Sequence, residues 1–189
     1  AHRGSSRMAP ENTMAAIEAA MEEMADYSEI DVQTTADGIV VVCHDLNLKR
    51  VAGVDRRLGT MTYDQVSRLD VGSHFSPKFA GERIPTLEEV LEACKGRMKL
   101  NIELKNIGND SSLPEQVAAL VREYGMEEQC VITSVKLGYL ERVKEMAPEL
   151  RTGYILAAAY GTYYDNEYID FISIRSSFVG RKLVEAAHE

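Results

Sequence analysis

The feature that most constrains the fold of this 189-residue chain is the alternation of helical and strand segments along it. Residues 12–25, for example, carry apolar side chains at helical spacing, and residues 29–34 then alternate polar with apolar side chains. Parallel strands need a crossover connection, usually a helix, whereas antiparallel strands can be joined by a short turn. The alternation therefore predicts an α/β fold built on a parallel sheet.

The predicted elements cover most of the chain. Strands are predicted at 29–34, 39–43, 98–104, 130–133, 151–156 and 171–174, and helices at 12–25, 87–94, 112–124, 138–146, 163–167 and 180–188. A tight turn at Asp37-Gly38 joins the first two of these strands. Residues 45–83 are turn-rich, with one short helix that Thr62 and Gln65 cap, and we interpret this segment as an insertion.

The number of strands points to a barrel. A further strand is implied immediately before His2, so that the main strands, without the hairpin partner at 39–43, number six. A (β/α)8 barrel has eight strands and usually about 250 residues. We therefore expect a (β/α)8 barrel of which residues 1–189 form a single, incomplete domain, without most of the first strand and without the last two βα units.

Composition excludes some classes of protein. The 30 acidic residues outnumber the 21 basic ones, which argues against a nucleic-acid-binding protein. No apolar run approaches the ~20 residues that cross a bilayer, which predicts a soluble chain. Cys43, Cys94 and Cys130 are odd in number and lie in apolar surroundings, which predicts buried thiols in a reducing compartment rather than disulfides or a zinc site. The sequence indicates no oligomeric state.

Reactive side chains concentrate where the predicted strands end. In barrels of this class the active site lies at the C-terminal ends of the strands. The residues at these positions are His2, Arg3, Glu29, Asp31, His44, Asp45, Glu103 and Lys105. We therefore expect these side chains to converge on one cavity.

Three of these residues are carboxylates on neighbouring strands. Glu29 and Asp31 are two residues apart, so both point to one face of their strand, and Glu103 lies on the next strand. Carboxylates held together repel one another unless a cation neutralises them. An all-oxygen ligand set suits one divalent cation, Mg²⁺ or Ca²⁺, better than zinc. The alternative is that Glu29 and Asp31 are surface charges paired with lysine or arginine.

Two of the four histidines stand among these groups. His2 and His44 suit a general acid and a general base, because imidazole titrates near neutral pH. The alternative for each is a structural histidine, which is the interpretation we adopt for His74 and His188. Arg3 can bind a phosphate through two parallel hydrogen bonds, and Lys105 can act as a point charge on developing negative oxygens.

The same residues belong to eight short blocks in a fixed order. The blocks are His2-Arg3-Gly4, Pro10-Glu11-Asn12-Thr13, Glu29-Ile30-Asp31-Val32, Thr35-x-Asp37-Gly38, His44-Asp45, Leu69-Asp70-x-Gly72, Gly81-Glu82-x-Ile84-Pro85-Thr86-Leu87 and Asn101-Ile102-Glu103-Leu104-Lys105. In this arrangement the chain resembles the glycerophosphodiester phosphodiesterases. Eight blocks in order are a specific signal, whereas any one of them alone would be weak.

The resemblance implies a TIM barrel with a small insertion after its second strand, at about residues 45–83. It implies hydrolysis of glycerophosphodiesters, such as glycerophosphocholine or glycerophosphoethanolamine, to sn-glycerol 3-phosphate and an alcohol. In such enzymes two histidines are the catalytic acid and base, three carboxylates bind the divalent metal, and two cationic side chains contact the phosphate. These roles fall on His2 and His44, on Glu29, Asp31 and Glu103, and on Arg3 and Lys105.

The resemblance leaves open which histidine is the acid, and whether the metal is Mg²⁺ or Ca²⁺. It also implies a location in the cytoplasm, or as the soluble domain of a bacterial protein whose membrane-embedded region lies outside this chain. Two other functions remain alternatives. One is a lipid-directed phosphodiesterase of the phospholipase kind, for which the sequence offers no long basic amphipathic helix. The other is a silent phosphodiester-binding domain, which would not need an acid, a base and a metal site together.

Overall fold

The structure is a computed structural model, and it describes residues 1–105, 112–156, 166–174, 177, 179–181 and 184–185. Its strands are β1 (Tyr27–Thr34), β2 (Val40–Val42), β3 (Lys99–Leu104), β4 (Cys130–Ser134), β5 (Arg151–Leu156) and β6 (Phe171–Ile174). Its helices are α1 (Met14–Glu22), α2 (Lys49–Ala52), α3 (Tyr63–Val66), α4 (Leu87–Cys94), α5 (Leu113–Glu123) and α6 (Leu137–Met146). In this part of the chain the strands form one sheet in the order β2-β1-β3-β4-β5-β6.

The sheet is parallel apart from one strand. β1, β3, β4, β5 and β6 run in the same direction, and β2 is antiparallel to β1. α5 connects β3 to β4 and α6 connects β4 to β5, as crossover helices do, and α4 lies in the chain between the β1–β2 hairpin with its insertion and β3. The predicted α/β class and the predicted strands are therefore confirmed, each strand within two residues of its expected bounds.

The main core lies between the sheet and its helices. Ile30 and Val32 of β1 pack with Ile102 of β3 and with Leu87 and Leu91 of α4, and all five are fully buried. Each such side chain contributes about 1.5–3 kcal/mol when it is removed from water. Because side chains alternate along a strand, this burial turns the intervening residues of β1 and β3 toward the opposite face of the sheet.

The insertion has a small core of its own. Leu48, Val51, Leu58 and Val66 are buried together there, against Val41 of β2. The capping box predicted at Thr62 is present at the start of α3. The expectation of a single short helix was wrong, because α2 also forms in this segment, where a left-handed glycine after its last residue ends it within one turn.

The first helix is shorter than the sequence predicts. Asn12 has a left-handed φ of 56°, which excludes it from the helix, and Thr13 caps the first turn by accepting a hydrogen bond from the Ala16 N–H. Met24, which was expected on the apolar face, lies beyond the helix end and is 87% exposed. Its own φ of 56° is left-handed, so the chain no longer has helical geometry at that position.

Two predicted helices fall largely outside the described residues, namely 163–167 and 180–188, and so does His188. Within the described ranges no helix is long and apolar enough to cross a membrane. Cys43, Cys94 and Cys130 are free and buried, as predicted.

Candidate active site

Strand register brings the three carboxylates together. Asp31 of β1 is paired with Glu103 of β3, and Glu29 lies two residues before Asp31 on the same face. One oxygen from each of the three side chains lies within 4.8 Å of the others. Lys105 follows the last residue of β3, and its N–H donates to the Val32 carbonyl, which extends the pairing to the edge of the sheet.

A tight turn brings His2 and Arg3 to the same edge. His2 forms a parallel bridge with Glu29, and the next two residues have positive φ angles, 55° at Arg3 and 74° at Gly4. This turn points the backbone N–H of Arg3 at Glu29 Oε2, at 2.9 Å. The backbone N–H of Gly4 donates to the Glu29 carbonyl.

Glycine is required in this turn for steric reasons as well. A Cβ at Gly4 would lie 2.6 Å from the Cβ of Ala16 in α1. We expect Gly4→Ala to lower the free energy of unfolding by about 2–4 kcal/mol, through left-handed backbone strain and overpacking against the helix. Gly53→Ala is the matched control, because Gly53 has a φ of 70° but nothing within 4 Å of its Cβ position. Urea unfolding measures both variants, and equal losses would show that contact with α1 does not matter.

Two cations compensate part of the negative charge. Lys105 Nζ donates to Glu103 Oε1 at 2.8 Å and lies 3.3 Å from Asp31 Oδ1. Arg3 Nε lies 3.2 Å from Asp31 Oδ2, but its N–H is not directed at that oxygen and has no acceptor in the described part of the chain. The contact is therefore electrostatic, and the buried N–H of Arg3 remains available to an acceptor such as a phosphate oxygen.

Asn12 orients Asp31. Its side-chain Nδ2 donates to Asp31 Oδ2 at 2.9 Å, and its Oδ1 accepts from the Asp31 backbone N–H at 3.3 Å. Both residues are buried, with Asp31 only 1% exposed. Asn12 was not predicted as a site residue, although it lies in the Pro10-Glu11-Asn12-Thr13 block that contributed to the family resemblance.

Burial and the excess of negative charge in the cluster raise the pKa of Glu29. Burial, together with the neighbouring charges of Asp31 and Glu103, raises the pKa of Glu29 from 4.5 to about 7, against the opposing effect of Arg3. A pKa raised this far is typical of a carboxyl group in a cluster that holds too few cations to balance its negative charge. A divalent cation would remove this penalty, so the donor set fits one.

The raised pKa of Glu29 predicts how stability depends on pH without metal. The folded protein binds a proton at Glu29 between about pH 4.5 and 7 that the unfolded chain does not, so the free energy of unfolding rises as the pH falls through that window. The difference corresponds to about 3 kcal/mol at most. Denaturant unfolding in a chelator should show this trend.

Two controls accompany that measurement. Glu29→Gln should abolish the rise, and saturating Mg²⁺ or Ca²⁺ should do the same, because a bound cation favours the ionised carboxylate. Glu11 and Asp45 have lowered pKa values, and their contribution to stability is lost below about pH 4.5, outside this window. A metal-free protein whose stability is flat between pH 4.5 and 7 would contradict the prediction.

His44 is held by its neighbour and by a buried glutamine. Its Nδ1 lies 2.9 Å from Asp45 Oδ1, and the side-chain amide of Gln33 donates to the carbonyls of Cys43 and Asp45, on either side of His44. An ionised carboxylate only accepts hydrogen bonds, so Nδ1 carries the proton and Nε2 carries the lone pair. His44 and Lys105 line one cavity of about 440 Å³, together with Asp45, Leu46 and Asn47.

A second acidic group lies beside His44. Glu11, His44 and Asp45 also have ligand atoms within 4.8 Å of one another, but Arg50 already donates to both carboxylates. Burial opposes ionisation of Asp45, but hydrogen bonds from Arg50 and His44 outweigh it and lower the pKa of this carboxyl. This group therefore needs no metal, in contrast to the cluster around Asp31.

Charges across the two groups support one divalent cation. The carboxylates Glu11, Asp45, Glu29, Asp31 and Glu103 face the cationic side chains of Arg3, Arg50 and Lys105. Five negative charges against three positive ones leave an excess of two, which one Mg²⁺ or Ca²⁺ would neutralise.

The predicted site residues thus occupy one edge of the sheet. His2 is the most exposed of them, at 73%, with its Nε2 3.8 Å from Glu29 Oε2. The alternative that Glu29 and Asp31 lie on a solvated strand face is wrong, because both side chains are largely or fully buried. Its other part, pairing with lysine or arginine, holds for Asp31, which contacts Arg3 and Lys105. Sequence reasoning missed Glu11, Gln33 and Arg50, and for Arg50 the sequence held no signal.

Comparison with known proteins identifies the family of this chain. Residues 2–188 match the model of the Glycerophosphoryl diester phosphodiesterase family. The chain belongs to this family. Family membership confirms the resemblance that the ordered blocks indicated.

Individual members of the family are similar in sequence and structure. A glycerophosphodiester phosphodiesterase of Caldanaerobacter subterraneus subsp. tengcongensis is 43% identical over 155 residues, which cover 81% of the chain and 64% of that protein. A human lysophospholipase D is 33% identical over 168 residues, which cover 85% of the chain and 51% of that protein. The chain thus spans between a half and two thirds of the length of these two relatives.

A solved phosphodiesterase of Oleispira antarctica, in complex with the product sn-glycerol-3-phosphate, superposes with a TM-score of 0.86. It is 30% identical, and the match covers 100% of the chain and 78% of that structure. The predicted TIM-barrel-like α/β fold is therefore confirmed.

Proposed function

We propose that this member of the glycerophosphoryl diester phosphodiesterase family hydrolyses glycerophosphodiesters, such as glycerophosphocholine or glycerophosphoethanolamine, to sn-glycerol 3-phosphate and an alcohol. Residues 1–189 would belong to a single catalytic domain, with the insertion at about 45–83. The observation that carries the proposal is the cluster of Glu29, Asp31 and Glu103 within 4.8 Å, at the edge that also holds both histidines. Such a cluster fits one divalent cation, Mg²⁺ or Ca²⁺.

Each side chain has a role that follows from its contacts. Arg3 and Lys105 would bind the phosphate, because the buried Nε–H of Arg3 lacks an acceptor and Lys105 lines the cavity beside His44. The bound cation would supply positive charge that stabilises the negative oxygens of the transition state. Glu29, Asp31 and Glu103 would hold it.

His44 and His2 would move the protons. With Nδ1–H directed at Asp45, neutral His44 presents the Nε2 lone pair, which can take a proton from the attacking oxygen. The exposed imidazole of His2 can donate a proton to the leaving alkoxide, or the two histidines can exchange these roles. Either assignment satisfies the need of phosphodiester cleavage for one base and one acid.

Release of glycerol 3-phosphate tests the proposal. The full protein is incubated with glycerophosphoethanolamine and with glycerophosphocholine, in Mg²⁺, in Ca²⁺ and in a chelator. We expect release in at least one of the two metals and its loss in chelator. Folded protein that is loaded with metal yet releases no glycerol 3-phosphate from either substrate would contradict the proposed reaction, and binding without turnover would indicate a silent binding domain.

A second candidate function has one specific support. A human relative is a lysophospholipase D, and the cavity beside His44 carries the apolar side chain of Leu46, which is 39% exposed. Lysophospholipids contain the same phosphodiester with one acyl chain added. Comparison of kcat/KM for lysophosphatidylcholine and glycerophosphocholine separates the two functions, and a higher value for the lipid would favour the lipid-directed enzyme.

A further inference from the structure

Arg50 connects two carboxylates that come from different parts of the chain. Its Nε and Nη2 donate to Asp45 at 2.7 and 2.9 Å, and its Nη1 and Nη2 donate to Glu11 at 3.0 and 2.6 Å. Glu11 lies 39 residues before Arg50 in the sequence. One guanidinium therefore clamps two carboxylates, each through two hydrogen bonds.

Each of these carboxylates in turn contacts a side chain to which we assign a role in the reaction. Asp45 Oδ1 lies 2.9 Å from His44 Nδ1, and Glu11 Oε1 accepts from Arg3 Nη1 at 3.0 Å. Arg50 thus stands at the centre of a chain of contacts that runs from His44 to Arg3. Movement of its guanidinium would free both carboxylates at once.

The insertion holds Arg50 at this position. Arg50 lies in α2 between the buried side chains of Leu48 and Val51, which belong to the core of the insertion. The backbone N–H of Leu48 donates to the Arg56 carbonyl, and that of Leu58 donates to the Leu46 carbonyl. The segment that the sequence identified only as an insertion is therefore a packed support for one arginine.

We propose that Arg50 is a positioning residue, which holds His44 through Asp45 and Arg3 through Glu11 in one geometry for the reaction. The inference rests on the proposed function, because it assigns Arg50 to the same site. Arginine is required rather than lysine, since only a planar guanidinium offers enough donors in one plane to bind both carboxylates together. A lysine would keep the charge but could not make the four hydrogen bonds.

The test compares Arg50→Lys and Arg50→Ala with Arg68→Lys. Arg68 is a matched control, because it also lies in the insertion and pairs with a carboxylate, Asp64, but on the exposed surface. We expect kcat for glycerophosphodiester hydrolysis to fall about 10- to 100-fold in Arg50→Lys, as displacement of a catalytic group by about 1 Å does, with a smaller change in KM. Arg68→Lys should match the wild-type protein.

Two further measurements separate positioning from loss of structure. The imidazole nitrogen signals of His44 in NMR should report Nδ1–H in the wild-type protein and a mixture of tautomers in Arg50→Lys. In the Asp45→Asn variant, Arg50→Lys should lower kcat by a smaller factor than it does in the wild-type protein, because Arg50 acts on His44 through Asp45. Thermal unfolding of Arg50→Lys should stay close to that of Arg68→Lys.

Failure of this proposal and failure of the proposed function give different results. Wild-type turnover together with an Arg50→Lys variant that keeps wild-type kcat and the same His44 tautomer would overturn the positioning role alone. Additive losses in the double variant would also overturn it. A wild-type protein without turnover would overturn the proposed function, and the tautomer of His44 in Arg50→Lys would then still decide whether Arg50 positions this histidine.

Discussion

Replacement of His44 by alanine is expected to lower kcat by about 10²- to 10⁴-fold, the usual contribution of a general acid or base. The loss follows from geometry: Asp45 holds the imidazole in one orientation and Gln33 holds the backbone on either side of it, beside the cavity that Lys105 also lines. Because the side chain is partly exposed, its removal should leave the fold intact. Steady-state kinetics with glycerophosphoethanolamine measure the loss.

His74→Ala is the control for that variant, because His74 is exposed, lies in the insertion and is a member of neither acidic group. It should keep wild-type kcat. A substrate with a nitrophenol leaving group then identifies the role of His44, since a good leaving group needs no acid. Recovery of the rate in His44→Ala with this substrate assigns the acid to His44, and persistent loss assigns the base. An alanine variant with full activity on both substrates would remove His44 from the mechanism.

Replacement of Asp31 by asparagine is expected to weaken binding of the divalent cation by about 100-fold or more, since even the residues behind metal ligands contribute 10- to 100-fold. Asp31 is the most buried carboxylate of the cluster, and Arg3, Lys105 and Asn12 all contact it. Asparagine keeps its shape but removes the charge. Calorimetric titration with Mg²⁺ and Ca²⁺ measures the change, and kcat should fall in parallel at fixed metal concentration.

Two variants complete the experiment on Asp31. Glu103→Gln removes the charge of a less buried carboxylate in the same cluster and should also weaken metal binding. Asp64→Asn is the control, because Asp64 is an exposed carboxylate in a surface ion pair and should leave metal affinity unchanged. Unaltered affinity in both Asp31→Asn and Glu103→Gln would show that the cation binds elsewhere, with the group at Glu11 and Asp45 as the remaining place to look.

Helix caps and side-chain spacing predicted helices and strands correctly where the structure depends on residues that are close together in the sequence. The helix predicted at 87–94 is α4 with its observed bounds, and a capping box formed by Thr86 and Glu89, which are close together in the sequence, begins it. The carboxylates of β1 and β3 were predicted on one face because side chains alternate along a strand. The short helix α2 was missed because it is a single turn, which has no periodicity long enough to detect.

The sequence by itself determined the α/β class, the family and the set of residues at the strand ends, because each is encoded in short stretches of neighbouring residues. Tertiary structure alone decided that Arg50 meets Glu11 across 39 residues and that Glu29 has a raised pKa. The physical reason is distance. Ion pairing and desolvation depend on separations of a few ångströms and on burial, which arise only when distant segments pack together.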